Sequence, residues 1–273
     1  MRCTSWTNFL VGCAVAALLV VPSLAPAAIF WTEEFNPGDL SSSPPTWGTR
    51  GEAGGRYTIV DLGDALGDPS LSGESGIEVK TDGYAAMYAD RRTDRTRGSR
   101  GDNTVGYPNA GETRYLYFWG VHVKEGDARV NVGLDMGDVF GNEMADGFGY
   151  TRYLDSDTVI HRFNNGSVGV GGMPGGGAAD YDHRIILDSP SGDLLDVTFQ
   201  TKSVSSSTWE TTHTENTDVN TVTGQLVFLG TDSGRFFVDA IEFSERDGTS
   251  KIPEPGTLVL MVIGGLCWIG RRR

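Results

Sequence analysis

Cysteine is nearly missing from this 273-residue chain: Cys3, Cys13 and Cys267 are the three it has, and each lies near a terminus, outside residues 28–251. The long region between has none, so disulfides cannot hold it together. Its stability must come from a hydrophobic core, which one β-rich domain of this size can bury. Basic residues are also scarce, with 22 Lys and Arg against 36 Asp and Glu and a net charge of -14. Without Arg2, the last three arginines and Glu254, residues Ala28 to Lys251 keep 18 basic and 35 acidic side chains, about -17. That sign excludes nucleic acid as a natural partner, because phosphate binding demands the opposite one. Between the termini there is no amphipathic helical window, no strong internal repeat and no linker long enough to demand a second domain.

Catalytic and metal motifs are missing too. Gly73-Glu-Ser75-Gly76 lacks the spacing of a nucleophile elbow. The four histidines (His122, His161, His183, His213) stand singly, without metal-ligand spacing, and read as strand-surface residues. Gly171 to Gly177 is glycine-dense, but it follows no strand–helix signature and contains no Lys-Ser/Thr, so it reads as a surface loop rather than a phosphate cradle. Glu143 with Asp146, and Asp155 with Asp157, are the nearest carboxylate pairs, in glycine-rich or turn-like surroundings that suit solvated loop charges. Arg91 to Asp102 is a basic run in an acidic domain and reads as an exposed loop; the Arg100-Gly101-Asp102 inside it is too short to carry weight.

What is present begins at the ends. Arg2, the uncharged run Phe9–Val21 and the Ala25-x-Ala27 pattern form a secretory signal peptide over residues 1–27. Leu10-Val-Gly-Cys13 also fits a lipoprotein cleavage pattern, but cutting there leaves most of the apolar run on the mature protein. At the other end, Thr257 to Gly270 is uncharged and is followed by Arg271, Arg272 and Arg273. Fourteen helical residues reach about 21 Å against a hydrocarbon core of about 30 Å, so the span is short and relies on local thinning or on the arginines snorkelling. Positive residues beside a span stay cytoplasmic, which turns the acidic middle outward.

Pro253-Glu254-Pro255, the apolar run with Gly264 and Gly265, and the three final arginines resemble the PEP-CTERM sorting signal, found on exported proteins of bacteria that make exopolysaccharide. The resemblance covers residues 251–273 and implies recognition and cleavage near the motif by the membrane protease exosortase, with release or transfer to the cell surface. The prolines also make physical sense, because they resist a helix interior and keep the segment ahead of the membrane extended.

Residues 28–250 read as an all-β sandwich. Short runs rich in β-branched and aromatic residues recur at 56–62, 76–80, 114–123, 128–134, 158–163, 183–187, 194–204, 225–230 and 235–243, separated by Gly, Asp, Asn, Ser and Pro. Asn165-Gly166 marks a two-residue hairpin. The opening Ile29–Asn36 and the closing Arg235–Phe243 resemble the edges of jelly rolls, either of the concanavalin A-like or of the galactose-binding-like group, in which first and last strands lie together. That resemblance implies a structural Ca²⁺ shared by an acidic residue of the first strand and an Asp of the last, here Glu34 and Asp239, and hard oxygen ligands suit the ion. Trp31, Trp47, Trp119 and Trp209 are candidates to stack on sugar rings, although tryptophan more often packs in cores. The expectation is a non-catalytic, exosortase-sorted surface or matrix protein that binds polysaccharide or packs structurally. The alternative is a secreted glycan hydrolase with an unrecognised carboxylate pair.

Overall fold

Fifteen strands make up two antiparallel sheets in the computed structural model. It describes residues 27–37, 47–51, 56–81, 85–89, 108–125, 129–134, 148–153, 158–163, 166–172, 180–191, 194–218, 227–231 and 234–248. The strands are β1 (Ile29–Glu33), β2 (Trp47–Gly51), β3 (Arg56–Asp61), β4 (Ser75–Thr81), β5 (Ala85–Ala89), β6 (Thr113–Glu125), β7 (Arg129–Leu134) and β8 (Phe148–Tyr153), then β9 (Thr158–Phe163), β10 (Gly166–Gly172), β11 (Tyr181–Asp188), β12 (Leu194–Ser203), β13 (Glu210–Asp218), β14 (Val227–Thr231) and β15 (Gly234–Ser244). One sheet runs β13-β12-β11-β6-β15-β4-β3, with β1 also on β15, and the other runs β10-β9-β8-β7-β14-β5-β2. Strands distant in sequence are neighbours in both sheets, and the chain crosses repeatedly between them, as in a jelly-roll β-sandwich.

Alternation of apolar side chains builds the interior. Leu116 and Phe118 of β6, Ile185 and Leu187 of β11, Val197 and Phe199 of β12, and Ile241 and Phe243 of β15 meet Val130, Val132, Val227 and Leu229 of the opposite sheet, all essentially without solvent exposure. First and last strands pair as expected, with Thr32 opposite Glu242 and Glu33 opposite Ile241.

Several local expectations are corrected. The β9–β10 hairpin exists, but Phe163 pairs with Gly166, so the connection falls on 164–165, one residue earlier than Asn165-Gly166. Gly171 and Gly172 belong to β10, opposite Val159 and Thr158, and are not loop. A short helix, α1 (Leu62–Leu66), follows β3: the Asp61 carboxylate accepts from Asp64 N, and Gly67 closes it at φ 68°. Strands β2, β5, β8 and β13 are additional to the runs that the sequence marks. Strand β13 (ETTHTENTD) lacks an apolar face because it is a sheet edge, where polar side chains discourage pairing with a second chain.

The leader up to residue 26, the carboxylates Glu143, Asp146, Asp155 and Asp157, the run 91–102 and the whole of 251–273 lie outside the described residues. Among the described residues no helix is long and apolar enough to cross a membrane.

Candidate functional site

Strand β6 carries the site on the sheet face turned away from the core. Tyr115, Tyr117 and Trp119 recur every second residue, so their rings fall in a row: Tyr115 stacks on Tyr117 at 6.0 Å, and Tyr117 on Trp119 at 4.7 Å and 6°. Trp209, just ahead of β13, closes over both, 5.9 Å from each ring. Two cations from the neighbouring strands fill the space beneath it. The Arg184 guanidinium lies 4.5 Å from the Trp209 ring and 5.4 Å from Tyr115, and the Lys202 ammonium 5.2 Å from Trp209 and 5.7 Å from Trp119.

The segment 246–248 straps this row down. Tyr117 Oη donates to Arg246 O at 2.6 Å and accepts from Gly248 N at 2.8 Å, while Trp209 Nε1 donates to Gly248 O at 2.9 Å. Arg184 donates to Gln200 Oε1 at 2.6 Å and to the Asp247 carboxylate. Arg246 reaches back to the buried Glu242 at 3.0 Å. Burial pushes the Tyr117 phenol up to about 12, outweighing the lowering by Gly248 N–H and Arg184.

Beyond Trp119 the strand breaks its alternation. Val121 faces Tyr181 and Phe118 faces His183, so Trp119 and Gly120 together oppose Asp182 in a bulge. Gly120 sits at φ 56°, and a Cβ there would come within 2.8 Å of Asp239 Cβ and 3.0 Å of His122 Nε2. Glycine is therefore required both for the left-handed backbone and for the close approach of those two side chains. Asp182 Oδ1 accepts from Gly120 N at 2.7 Å, locking the bulge, and Asp182 Oδ2 accepts from the buried Lys202 ammonium.

This bulge floors a cavity of about 580 Å³, within the size range of small-molecule sites. Trp119, His122, Asp180, Asp182, Lys202 and Asp239 supply its polar wall, the turn 204–207 one rim, and residues between Leu66 and Leu71 the other. His122 Nδ1 lies 2.9 Å from Asp180 Oδ2, without the alignment of a hydrogen bond. Trp119 Nε1 is buried with no hydrogen-bond partner. The wall thus sets carboxylates beside an imidazole, an indole and an ammonium group.

Of the residues singled out in the sequence, Trp119, Trp209, His122 and Asp239 come to this place. Trp119 and Trp209 pack against each other rather than presenting open platforms, and the side chains of Trp31 and Trp47 are not among those described. His122 and His183 are buried, not on the strand surface: His183 Nδ1 bonds Thr201 Oγ1 at 2.9 Å, because β11 is covered on both faces. Pairing of β1 with β15 ends at Glu33, and Phe35 then turns through φ 52°. Glu34 therefore lies just past the paired segment, and among the described residues no three His, Cys, Asp or Glu side chains gather as metal ligands. Asp182, Arg184, Lys202 and Gly120 were missed. The available signal was Asp182-His183-Arg184, three polar residues running straight into the apolar Ile185-Ile186-Leu187 of one strand. Buried polar groups need partners, so such a strand implies charged neighbours on its outer face.

Residues 251–273 match the PEP-CTERM protein-sorting motif. No curated protein matches the chain by sequence. Among solved structures, the catalytic domain of an endo-1,3-beta-glucanase (laminarinase) from Thermotoga petrophila is 12% identical over 81% of this chain and 99% of its own, at a TM-score of 0.42. The exoplasmic/lumenal domain of VIP36, in a Ca²⁺- and mannose-bound form, is 12% identical over 82% of this chain and 94% of its own, at 0.44. A Bacillus subtilis protein of unknown function with a galectin-like fold is 10% identical over 80% and 96%, at 0.40. The sorting motif marks this chain as exported and sorted at a membrane.

Proposed function

We propose that this exported protein is cut near its C-terminus by exosortase, is displayed on the surface or in the extracellular matrix, and binds polysaccharide there without cleaving it. The match of residues 251–273 to the sorting motif carries the first half. The cavity supports the second. Sugars present hydroxyls that both donate and accept, and the wall sets the carboxylates of Asp180 and Asp182 beside the His122 imidazole and the Lys202 ammonium. Asp182 is held by Lys202 and by Gly120 N, an arrangement that fixes a carboxylate as a positioned acceptor. A hydrolase reading would put two carboxylates on either side of a glycosidic bond, and Asp180, Asp182 and Asp239 in one cavity supply the candidates for it.

Retention of the exported protein on affinity gels of several polysaccharides separates these readings. The expected result is slowed migration on at least one gel with no release of reducing ends. Reducing ends that disappear in Asp182→Asn would hand the function to hydrolysis, and migration unchanged on every gel would remove glycan binding altogether.

A further inference from the structure

Resting on the reading of residues 1–27 as a removable leader, the two ends of the folded domain show what that removal creates. Ala27 and Ala28 are exposed and lie in no regular element, and pairing of β1 with β15 begins only at Ile29, opposite Ser244. Cutting between the two alanines therefore takes no rung out of the sheet. Hydrolysis adds water across that amide. Ala27 leaves as a carboxylate, and Ala28 keeps an amine that takes up a proton at neutral pH, because α-amino groups titrate at about 7.7–8.0.

Glu245 stands where that ammonium forms. In the uncut chain the Ala28 N–H already donates to Glu245 Oε2 at 3.4 Å, and Glu245 N donates to Ala28 O at 2.8 Å, so the two residues meet through side chain and backbone at once. The backbone bond fixes both partners before the charge appears. Only the glutamate side chain has still to be ordered, which lowers the entropic cost that makes most surface pairs weak. Burial secures this end only in part. The ladder register slips between Ile29 and Trp31, and Ile29 and Phe30 are 46% and 41% exposed. The Phe30 ring lies 5.1 Å from that of Phe243 and 4.8 Å from the Arg114 guanidinium. A chain end so lightly covered frays first.

We propose that removal of the leader closes a latch: the new Ala28 ammonium is captured by the Glu245 carboxylate, sealing the first strand to the last in the mature protein and not in its precursor. In the precursor the same nitrogen is a neutral amide with one proton to give. The ammonium carries a full charge and three protons, so the contact becomes a charge-assisted hydrogen bond. A strongly acidic domain also favours an added cation. For a protein exported from the cell, the latch holds down the end that an exopeptidase must draw out of the sheet to begin digestion.

The exported protein and its Glu245→Gln variant, each with a free and with a selectively acetylated α-amine, test this in one cycle. Terminal sequencing comes first, and a start other than Ala28 would overturn the leader boundary and the latch together. With a start at Ala28, acetylation should lower the melting temperature by about 1–3 °C and speed hydrogen exchange of the β1 amides about two- to fivefold. Glu245→Gln should do the same to the free-amine protein and nothing further to the acetylated one. Additive effects of the two changes, or acetylation without effect, would overturn the latch and leave the leader boundary standing. Both changes lie on exposed groups and keep every core side chain, so the fold itself is not at stake. An aminopeptidase should release Ala28 from Glu245→Gln about twofold faster than from wild type, and equal rates would overturn the protection.

Discussion

Tyr117 does two jobs with one hydroxyl: it bonds the 246–248 strap through Arg246 O and Gly248 N, and its ring carries the stack from Tyr115 to Trp119. Burial raises its ionisation to about 12, while an unfolded chain releases the same proton near 10. Below pH 10 both states keep the proton and the group adds no pH dependence. Between about 10 and 12 only the unfolded chain gains by ionising, so stability falls as pH rises, by roughly 2–3 kcal/mol at most. Tyr117→Phe should lose about 1–3 kcal/mol at pH 8, where two bonds to the strap disappear, and should show a flatter decline from pH 10 to 12 than wild type. Urea unfolding of both proteins at pH 8 and pH 11 reads this; parallel declines would mean that Tyr117 is not the group responsible. Nothing in Arg114-Tyr-Leu-Tyr-Phe-Trp119 announces this role, because alternation predicts a strand with aromatic residues on one face and cannot say what will cover that face.

At the scale of elements, β1 and β15 join the two ends of the domain: Ala28 O accepts from Glu245 N at 2.8 Å, and Glu33 pairs with Ile241. Chain ends fray first, so any ligand that binds there only in the folded state stabilises the whole domain. We propose a Ca²⁺ near Glu34 and Asp239, with backbone oxygens and water completing the six to eight ligands the ion takes. Millimolar Ca²⁺ should then raise the melting temperature, and Asp239→Ala should erase the increment. A wild-type melting curve unmoved by chelation would dispose of the site. Strand existence was legible wherever one face is apolar, as in β6, β12 and β15, because burial of one face imposes a period of two. It was not legible in β13, whose exposed edge asks nothing of its side chains but polarity, nor in the short β2 and β5, which lack a run long enough to show a period.

For the molecule as a whole, sorting rests on its C-terminal motif, while the proposed recognition rests on the β-sandwich. Mass spectrometry of the surface protein should find an N-terminus near Ala28 and a C-terminus upstream of Thr257. Recovery of the intact Arg273 end from surface-exposed protein would contradict processing. The strap ends at Gly248, five residues before Pro253 in the sequence.

By itself the sequence determined what depends on contiguous residues: the sorting signal, the acidic charge, the dependence on a core without disulfides, and the β-rich class. Each is a property of local order or of composition, which tertiary contacts do not alter. The tertiary structure alone decided the site. Gly120, Asp182 and Lys202 are separated by 62 and 20 residues along the chain and meet only because β6, β11 and β12 are neighbours in one sheet. Register brings Asp182 opposite a bulge, and the cover of Trp209 and residues 246–248 takes Lys202, Arg184 and Tyr117 out of water. Pairing across a sheet is set by the competition among all strands for partners and burial, and that competition leaves no mark in any single stretch of sequence.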